Sequence, residues 1–159
     1  IGNAANVITR NGLPLTTDVP AYPATGYALP EPDFALRAFR DDILPRLYRA
    51  RVGALVVSLA NPRHAHEHRA FARHPLPDGM LLVAGVIDTT TNYVEHPEVV
   101  ADRICAAAEA VGDRTRVIAS TDCGFGTFAG SEMVAHRVVW AKLGALTEGA
   151  AIASRRLFG

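Results

Sequence analysis

The apolar positions of the chain change period along its length, and the change divides it. Over residues 33–49 (DFALRAFRDDILPRLYR), Phe34, Leu36, Phe39, Ile43, Leu44, Leu47 and Tyr48 recur at roughly helical spacing, with Asp33 placed to cap the first turn. Pro45 should kink this helix or begin a new turn. Farther on, short continuous apolar runs take over: residues 54–59 (ALVVSL), 80–87 (MLLVAGVI) and 116–121 (RVIAST). Runs apolar at nearly every position, rather than at alternate ones, predict strands covered on both faces. Helical patterns lie between and after them: a short one near residues 66–73, then Pro97–Val111 (PEVVADRICAAAEAV), with Pro97 suited to a first turn, and a long one over residues 133–157. Strand, helix, strand, helix, strand, helix is the order of parallel α/β units.

Before these units the pattern is broken. Residues 1–32 carry Asn11-Gly12, Pro14, Pro20, Pro23, Gly26, Pro30 and Pro32, too much punctuation for any long element, so this stretch is expected to be an irregular loop or linker. Residues 33–159 then hold the βα units. Three such units read as a segment of a (β/α)8 TIM barrel, and a doubly wound sheet would give a similar pattern. No glycine-rich phosphate loop follows any of the strands, which counts against a dinucleotide-binding sheet.

Composition narrows the functions available. With 159 residues and 49% hydrophobic content, the chain is sized for one core. Sixteen Lys and Arg balance sixteen Asp and Glu, so no basic field exists to hold nucleic acid or an anionic membrane. No apolar run approaches the ~18 residues of a membrane span. Cys105 and Cys123 lie far apart in sequence, and a reducing cytoplasm is the default location. The chain opens at Ile1 and runs at once into loop-like sequence, so it is expected to be a segment of a longer polypeptide.

The candidate chemistry sits where strands end, the working edge of parallel α/β folds. Residues 61–68 (NPRHAHEH) follow the first strand, 88–92 (DTTTN) the second and 121–125 (TDCGF) the third. Cys123, a soft donor at a strand mouth, reads either as a metal ligand or as a small buried hydrophobe. His64 and His66 form an H-x-H pair: two metal-ligating imidazoles, or solvated loop residues. Zinc accepts thiolate and imidazole together, so the three are candidate ligands of one ion. Asp88 and Asp122 are candidate catalytic carboxylates, with Asp88 equally readable as a cap for its own loop. Asn61, Arg63, Glu67 and Asn92 are candidates for holding a substrate. Cys105, mid-helix among alanines, is expected in the core. His74, His96 and His136 are expected at the surface or as caps.

The run VIDTTTNYVEHPEVVADRI over residues 86–104, with VIASTDCGFGTFAG and VVWAKLGALTEGAAIASRRLF after it, resembles the C-terminal end of the cobalamin-independent methionine synthase superfamily. Shorter relatives, such as the epoxyalkane:coenzyme M transferases, are included in the likeness, and NPRHAHE at the first strand end is similar to the same group. The resemblance covers residues 42–158. It implies the C-terminal portion of a (β/α)8 barrel whose mouth holds zinc. The metal would bind the sulfur of a small-molecule thiol, and that sulfur would take a methyl or alkyl group from a donor. Cys123 matches the cysteine ligand of the family's Asp-Cys-Gly motif.

The departures are informative. The family's His-x-Cys ligand pair is absent, and Ser58 stands where a glutamate ligand is expected; a hydroxyl is a poor substitute. His64 or His66 is the candidate replacement. Thr90 stands where a methionine synthase has a histidine that helps protonate the folate leaving group, and a neutral hydroxyl cannot serve as a general acid near pH 7. Folate-dependent methyl transfer is thereby weakened relative to another electrophile, such as an epoxide. The other class is a non-catalytic, metal-binding barrel fragment that self-associates or pairs with a missing N-terminal half. A decarboxylase like uroporphyrinogen decarboxylase shares the barrel but does not account for the Asp-Cys-Gly motif.

Overall fold

A computed structural model describes residues 6–9, 38–126, 130 and 133–159 of the chain. Four strands form one sheet in the order β1 (Asn6–Thr9), β2 (Val52–Ser58), β3 (Leu81–Ile87) and β4 (Val117–Thr121). β2, β3 and β4 are parallel, as the continuous apolar runs predicted, and β1 is antiparallel to β2. β1 lies inside the stretch expected to be irregular. Its four residues pair with residues of β2 between Val52 and Val56, giving this short segment a backbone partner that periodicity did not reveal. Most of the expected linker, and Asp33 as a helix cap, lie outside the described residues.

The helices follow the predicted order. A π-helical turn, Ala38–Ile43, runs into the short α1 (Leu44–Leu47), with Pro45 in the first turn of the new helix, where its missing N–H costs nothing. After β2, a 3-10 turn (Glu67–Arg69) leads into α2 (Ala70–Arg73). Between β3 and β4 lies α3 (Pro97–Val111), and after β4 comes the 23-residue α4 (His136–Phe158). Both ends of α3 are capped. Pro97 starts it, the His96 ring accepts a hydrogen bond from the Glu98 N–H, and Gly112 ends it at φ 76°, where a side chain would be strained. His96 is thus one of the capping histidines the sequence implied.

One face of the sheet makes the core. Leu55, Val57, Leu82, Ala84 and Val86 pack with Val100, Ala101, Ile104 and Ala107 of α3 and Ala153 of α4, all buried. Each large aliphatic side chain withdrawn in this way contributes about 1.5–3 kcal/mol. Phe71 is fully buried and meets Phe39 edge to face at a centroid distance of 6.2 Å. Cys105 is half-buried and packs against this cluster. On the opposite face, Val56, Val83 and Ile118 stand in one row across three strands, and Ile118 is 47% exposed. Among the described residues the outer edge of β4 has no strand partner. Edge and row leave the sheet open where a barrel would continue.

α3 and α4 touch closely because Gly149 has no side chain. A methyl group there would sit 2.5 Å from Val100 Cβ and 2.9 Å from the Pro97 carbonyl oxygen. The overpacking cost of a Gly149→Ala change, about 3 kcal/mol at a site bounded by backbone, outweighs the helix-propensity gain of about 1 kcal/mol. Urea denaturation of the variant should show a net loss of roughly 2 kcal/mol; an unchanged or raised midpoint would contradict this packing.

Candidate functional site

When β2 ends at Ser58, the chain turns away from the ladder and its next backbone amides need other acceptors. Asp122, just past β4, provides them. Its Oδ1 accepts from the N–H of Leu59 and of Ala60, both at 3.0 Å, and its Oδ2 from Asn61 N–H at 2.9 Å. The Ser58 hydroxyl donates to the Asp122 carbonyl at 3.0 Å, and Asp122 N–H donates to the Ile87 carbonyl at 2.9 Å. One residue laces the C-terminal ends of β2, β3 and β4 together. The approach is close enough that β3 needs a glycine: a methyl group on Gly85 would lie 2.5 Å from Asp122 Oδ1 and 2.7 Å from its Cα.

Asp122 is buried. Burial pushes its carboxyl pKa up to about 6, the amides of Ala60, Asn61 and Leu59 pull it down, and the nearby Asp88 charge raises it again. Its oxygens are occupied by main-chain donors. The carboxylate named as a catalytic candidate therefore serves as a clamp in this geometry.

Asp88 is buried at the end of β3, and its Oδ1 accepts from the N–H of Thr90 at 2.8 Å and the hydroxyl of Thr90 at 2.7 Å. This is the capping role its sequence allowed. Between Asp88 and Thr90, the buried Thr89 directs its Oγ1 to within 2.9 Å of Cys123 Sγ. Cys123 is exposed, and among the described residues its sulfur otherwise reaches only the Gly124 carbonyl, at 3.5 Å. The mouth therefore presents one accessible thiol backed by a hydroxyl.

The expected grouping of Cys123 with His64 and His66 is not formed. Among the described residues, no three His, Cys, Asp or Glu side chains gather where they could hold a metal ion. The physical reason is local pairing in the β2 loop. His64 Nδ1 lies 2.8 Å from Glu67 Oε1, so the imidazole and the buried carboxylate satisfy each other. His66 Nε2 is buried and has no hydrogen-bond partner among the described residues. His68 is tied to the Ala65 carbonyl at 2.8 Å.

The substrate-binding candidates divide in the same way. Asn61 Oδ1 accepts from Arg63 N–H at 3.1 Å and shapes its own turn, while Arg63 is exposed. Glu67 is committed to His64. Asn92 bridges loops: its Nδ2 donates to the Met133 carbonyl at 3.2 Å, and its Oδ1 accepts from Ala135 N–H at 2.8 Å, capping α4 from a distance. Ala135 has no capping side chain of its own, which explains the arrangement.

Sequence reasoning missed the group beneath the β3 loop. Glu95 is buried; its Oε1 accepts from Asp88 N–H at 2.8 Å and its Oε2 from Lys142 Nζ at 2.9 Å. Arg103 lies 3.9 Å from Glu95 Oε1 and donates to the Val86 carbonyl at 2.9 Å. Val86 is the extra residue where the β3–β4 register shifts, so its carbonyl points to a side-chain donor. A lysine in the apolar half of the helix pattern was the available signal.

The raised pKa of Asp122 has a definite sign. Its folded value, about 6, exceeds its ordinary 3.8, so the proton is held more tightly in the folded state. The stability this contributes is full below pH 3.8 and is lost as pH rises through about 6. Carbon-13 NMR of the side-chain carboxyl should give a midpoint near 6, and Asp122→Asn should abolish the matching slope in stability. A midpoint at or below 3.8 would mean that the three amides dominate.

No family model matches the chain. Over 118 residues it is 33% identical to 2-hydroxypropyl-CoM lyase of Xanthobacter autotrophicus, a match that covers 72% of this chain and 29% of the lyase. Over 69 residues it is 39% identical to the sulfur carrier protein TtuD of Thermus thermophilus, 43% of this chain and 23% of that protein. Its fold matches that of a B12-independent methionine synthase from Shewanella sp. W3-18-1, solved in complex with selenomethionine. The TM-score is 0.59 at 24% identity, over 74% of this chain and 31% of the synthase. The chain thus spans between 23% and 31% of the length of each of these proteins. Sequence shared with the lyase and fold shared with the synthase place the chain among the relatives of the cobalamin-independent methionine synthase superfamily.

Proposed function

We propose that the mouth at the ends of β2, β3 and β4 is part of the reaction site of an enzyme that transfers a methyl or alkyl group to a small-molecule thiol. The observation that carries this reading is the exposed Cys123 sulfur, held 2.9 Å from the buried Thr89 hydroxyl at a strand end clamped by Asp122. In such a reaction the acceptor sulfur loses its proton and attacks an electrophilic carbon, and the bond from that carbon to the donor breaks. The leaving oxygen or nitrogen then takes a proton. Alignment matters more than acid strength here, and a rigid strand mouth provides it.

Zinc is the metal this reading calls for, and the described residues fit one of its ligands rather than a whole site. Cys123 is that ligand; the others would come from outside the described residues, as would the strands that close a (β/α)8 barrel. Bound zinc lowers a thiol's pKa and keeps it as the thiolate nucleophile. Within this chain Thr89 orients the Cys123 sulfur, Asp122 fixes its height at the mouth, and Asp88 shapes the loop facing it. Of the two donor classes, the structure favours one that needs no acid at residue 90, because the Thr90 hydroxyl is spent on Asp88 at 2.7 Å. An epoxide, opened to give an alkoxide, belongs to that class; a folate methyl donor does not. The free thiols of Cys105 and Cys123 suit the cytoplasm, and among the described residues no helix is long and apolar enough to cross a membrane.

Metal and product analysis test the reading together. With zinc, a small thiol and propylene oxide, the protein should form the thioether, and Cys123→Ser should lose both retained zinc and at least about 100-fold of the rate. Equal zinc retention and equal rates in the two proteins would remove Cys123 from the reaction. The open β4 edge and the half-exposed row of Val56, Val83 and Ile118 also call for a covering partner. Light scattering should show self-association of the isolated chain, weakened by Ile118→Lys; a monomer at all concentrations would argue otherwise.

A further inference from the structure

Lys142 has 0% of its surface exposed, yet it lies in the second turn of a helix that could dock on its neighbours with an aliphatic residue at that position. Buried ion pairs roughly break even against well-packed apolar side chains, so stability alone does not account for this one. What distinguishes it is the second use of its partner. Glu95 gives one oxygen to Lys142 at 2.9 Å and the other to the main-chain N–H of Asp88 at 2.8 Å. That N–H lies just past the last residue of β3, where the ladder no longer supplies an acceptor. The next residue along is Thr89, whose hydroxyl meets the Cys123 sulfur.

We propose that Lys142 is a positioning residue: by pairing with Glu95 it aims that carboxylate at the Asp88 amide and so sets the Thr89 hydroxyl against Cys123. The functional meaning of this rests on the mouth being a reaction site; the positioning itself does not. Tyr93 supports the ammonium from its ring face, at 4.7 Å. Arg103 cannot take over the role. It stands 3.9 Å from the carboxylate and is already committed to the Val86 carbonyl at the register shift. Without Lys142, Glu95 would be a buried carboxyl lacking its charge partner, free to turn and release its hold on Asp88.

Amide hydrogen exchange, read without substrate or metal, tests this separately from thiol transfer. In Lys142→Met the Asp88 amide should exchange at least about tenfold faster, while Leu82 and Ala84 in the body of β3 keep their protection. Uniform acceleration along β3, or an unchanged Asp88 amide, would overturn the proposal. If that variant does not fold, two double variants with no unpaired buried charge carry the test. Glu95→Gln with Lys142→Met retains a side-chain carbonyl to accept from Asp88, whereas Glu95→Leu with Lys142→Met retains none. The first should protect the Asp88 amide at least about tenfold better than the second, and equal exchange in the pair would be fatal. If Asp88 behaves as expected in a protein that forms no thioether, the positioning stands and the thiol-transfer reading fails.

Discussion

The mouth of this fold depends on one carboxylate that accepts main-chain hydrogen bonds. Where β2 stops, the amides of Leu59, Ala60 and Asn61 leave the sheet, and all three turn to Asp122. An unpaired buried amide is expensive, so the carboxylate decides where the following loop can go. The same residue must come almost into contact with β3, which is why Gly85 stands at that point of the strand. Cys123 is the next residue in the chain, and its sulfur takes its height above the sheet from the clamp. The Asp-Cys-Gly motif therefore divides its work: the acid builds the platform and the cysteine is presented on it.

Much of the fold was legible because the physics involved is local. Continuous runs such as MLLVAGVI announce buried parallel strands, and the Pro97 start of α3 follows from a helix's free N-terminal amides. β1 was not legible, because a four-residue strand in a proline-rich stretch owes its existence to a partner elsewhere in the chain. The site was read less completely, for the same reason. That strand ends carry the chemistry, and that Asp88 can cap its own loop, are facts of short range. That Asp122 is consumed by the amides of the β2 loop, 61 to 63 residues away in sequence, is not. His64 and His66 were attractive as ligands by spacing alone. Spacing does not show that Glu67, three residues on from His64, satisfies that ring first. Lys142 stood out only as a lysine among apolar helix positions, and its purpose was not legible because its partner Glu95 is 47 residues distant.

The buried charges of the mouth are each neutralised by different means. Backbone amides surround Asp122, a threonine side chain and amide satisfy Asp88, and an ammonium from α4 meets Glu95. Each device occupies carboxylate oxygens that a ligand would otherwise need. Water is also kept from these groups, since Asp88, Thr89, Glu95 and Asp122 are all buried. Cys123, by contrast, is exposed beside these buried groups.

That leaves a selective surface. Hard cations such as magnesium or calcium seek several oxygen ligands, and the carboxylate oxygens at this mouth are largely taken up by internal donors. Under the proposed function, a borderline-soft ion would instead be met by the sulfur of Cys123. The same feature explains why the described residues cannot complete a metal site alone. A segment that spends its carboxylates on holding its own strand ends has one free soft donor, Cys123, so under the proposed function further ligands would have to come from outside the described residues. Under the proposed function, the lack of further ligands among the described residues and the unpaired edge of β4 would have one remedy, a partner that covers the face carrying Val56, Val83 and Ile118.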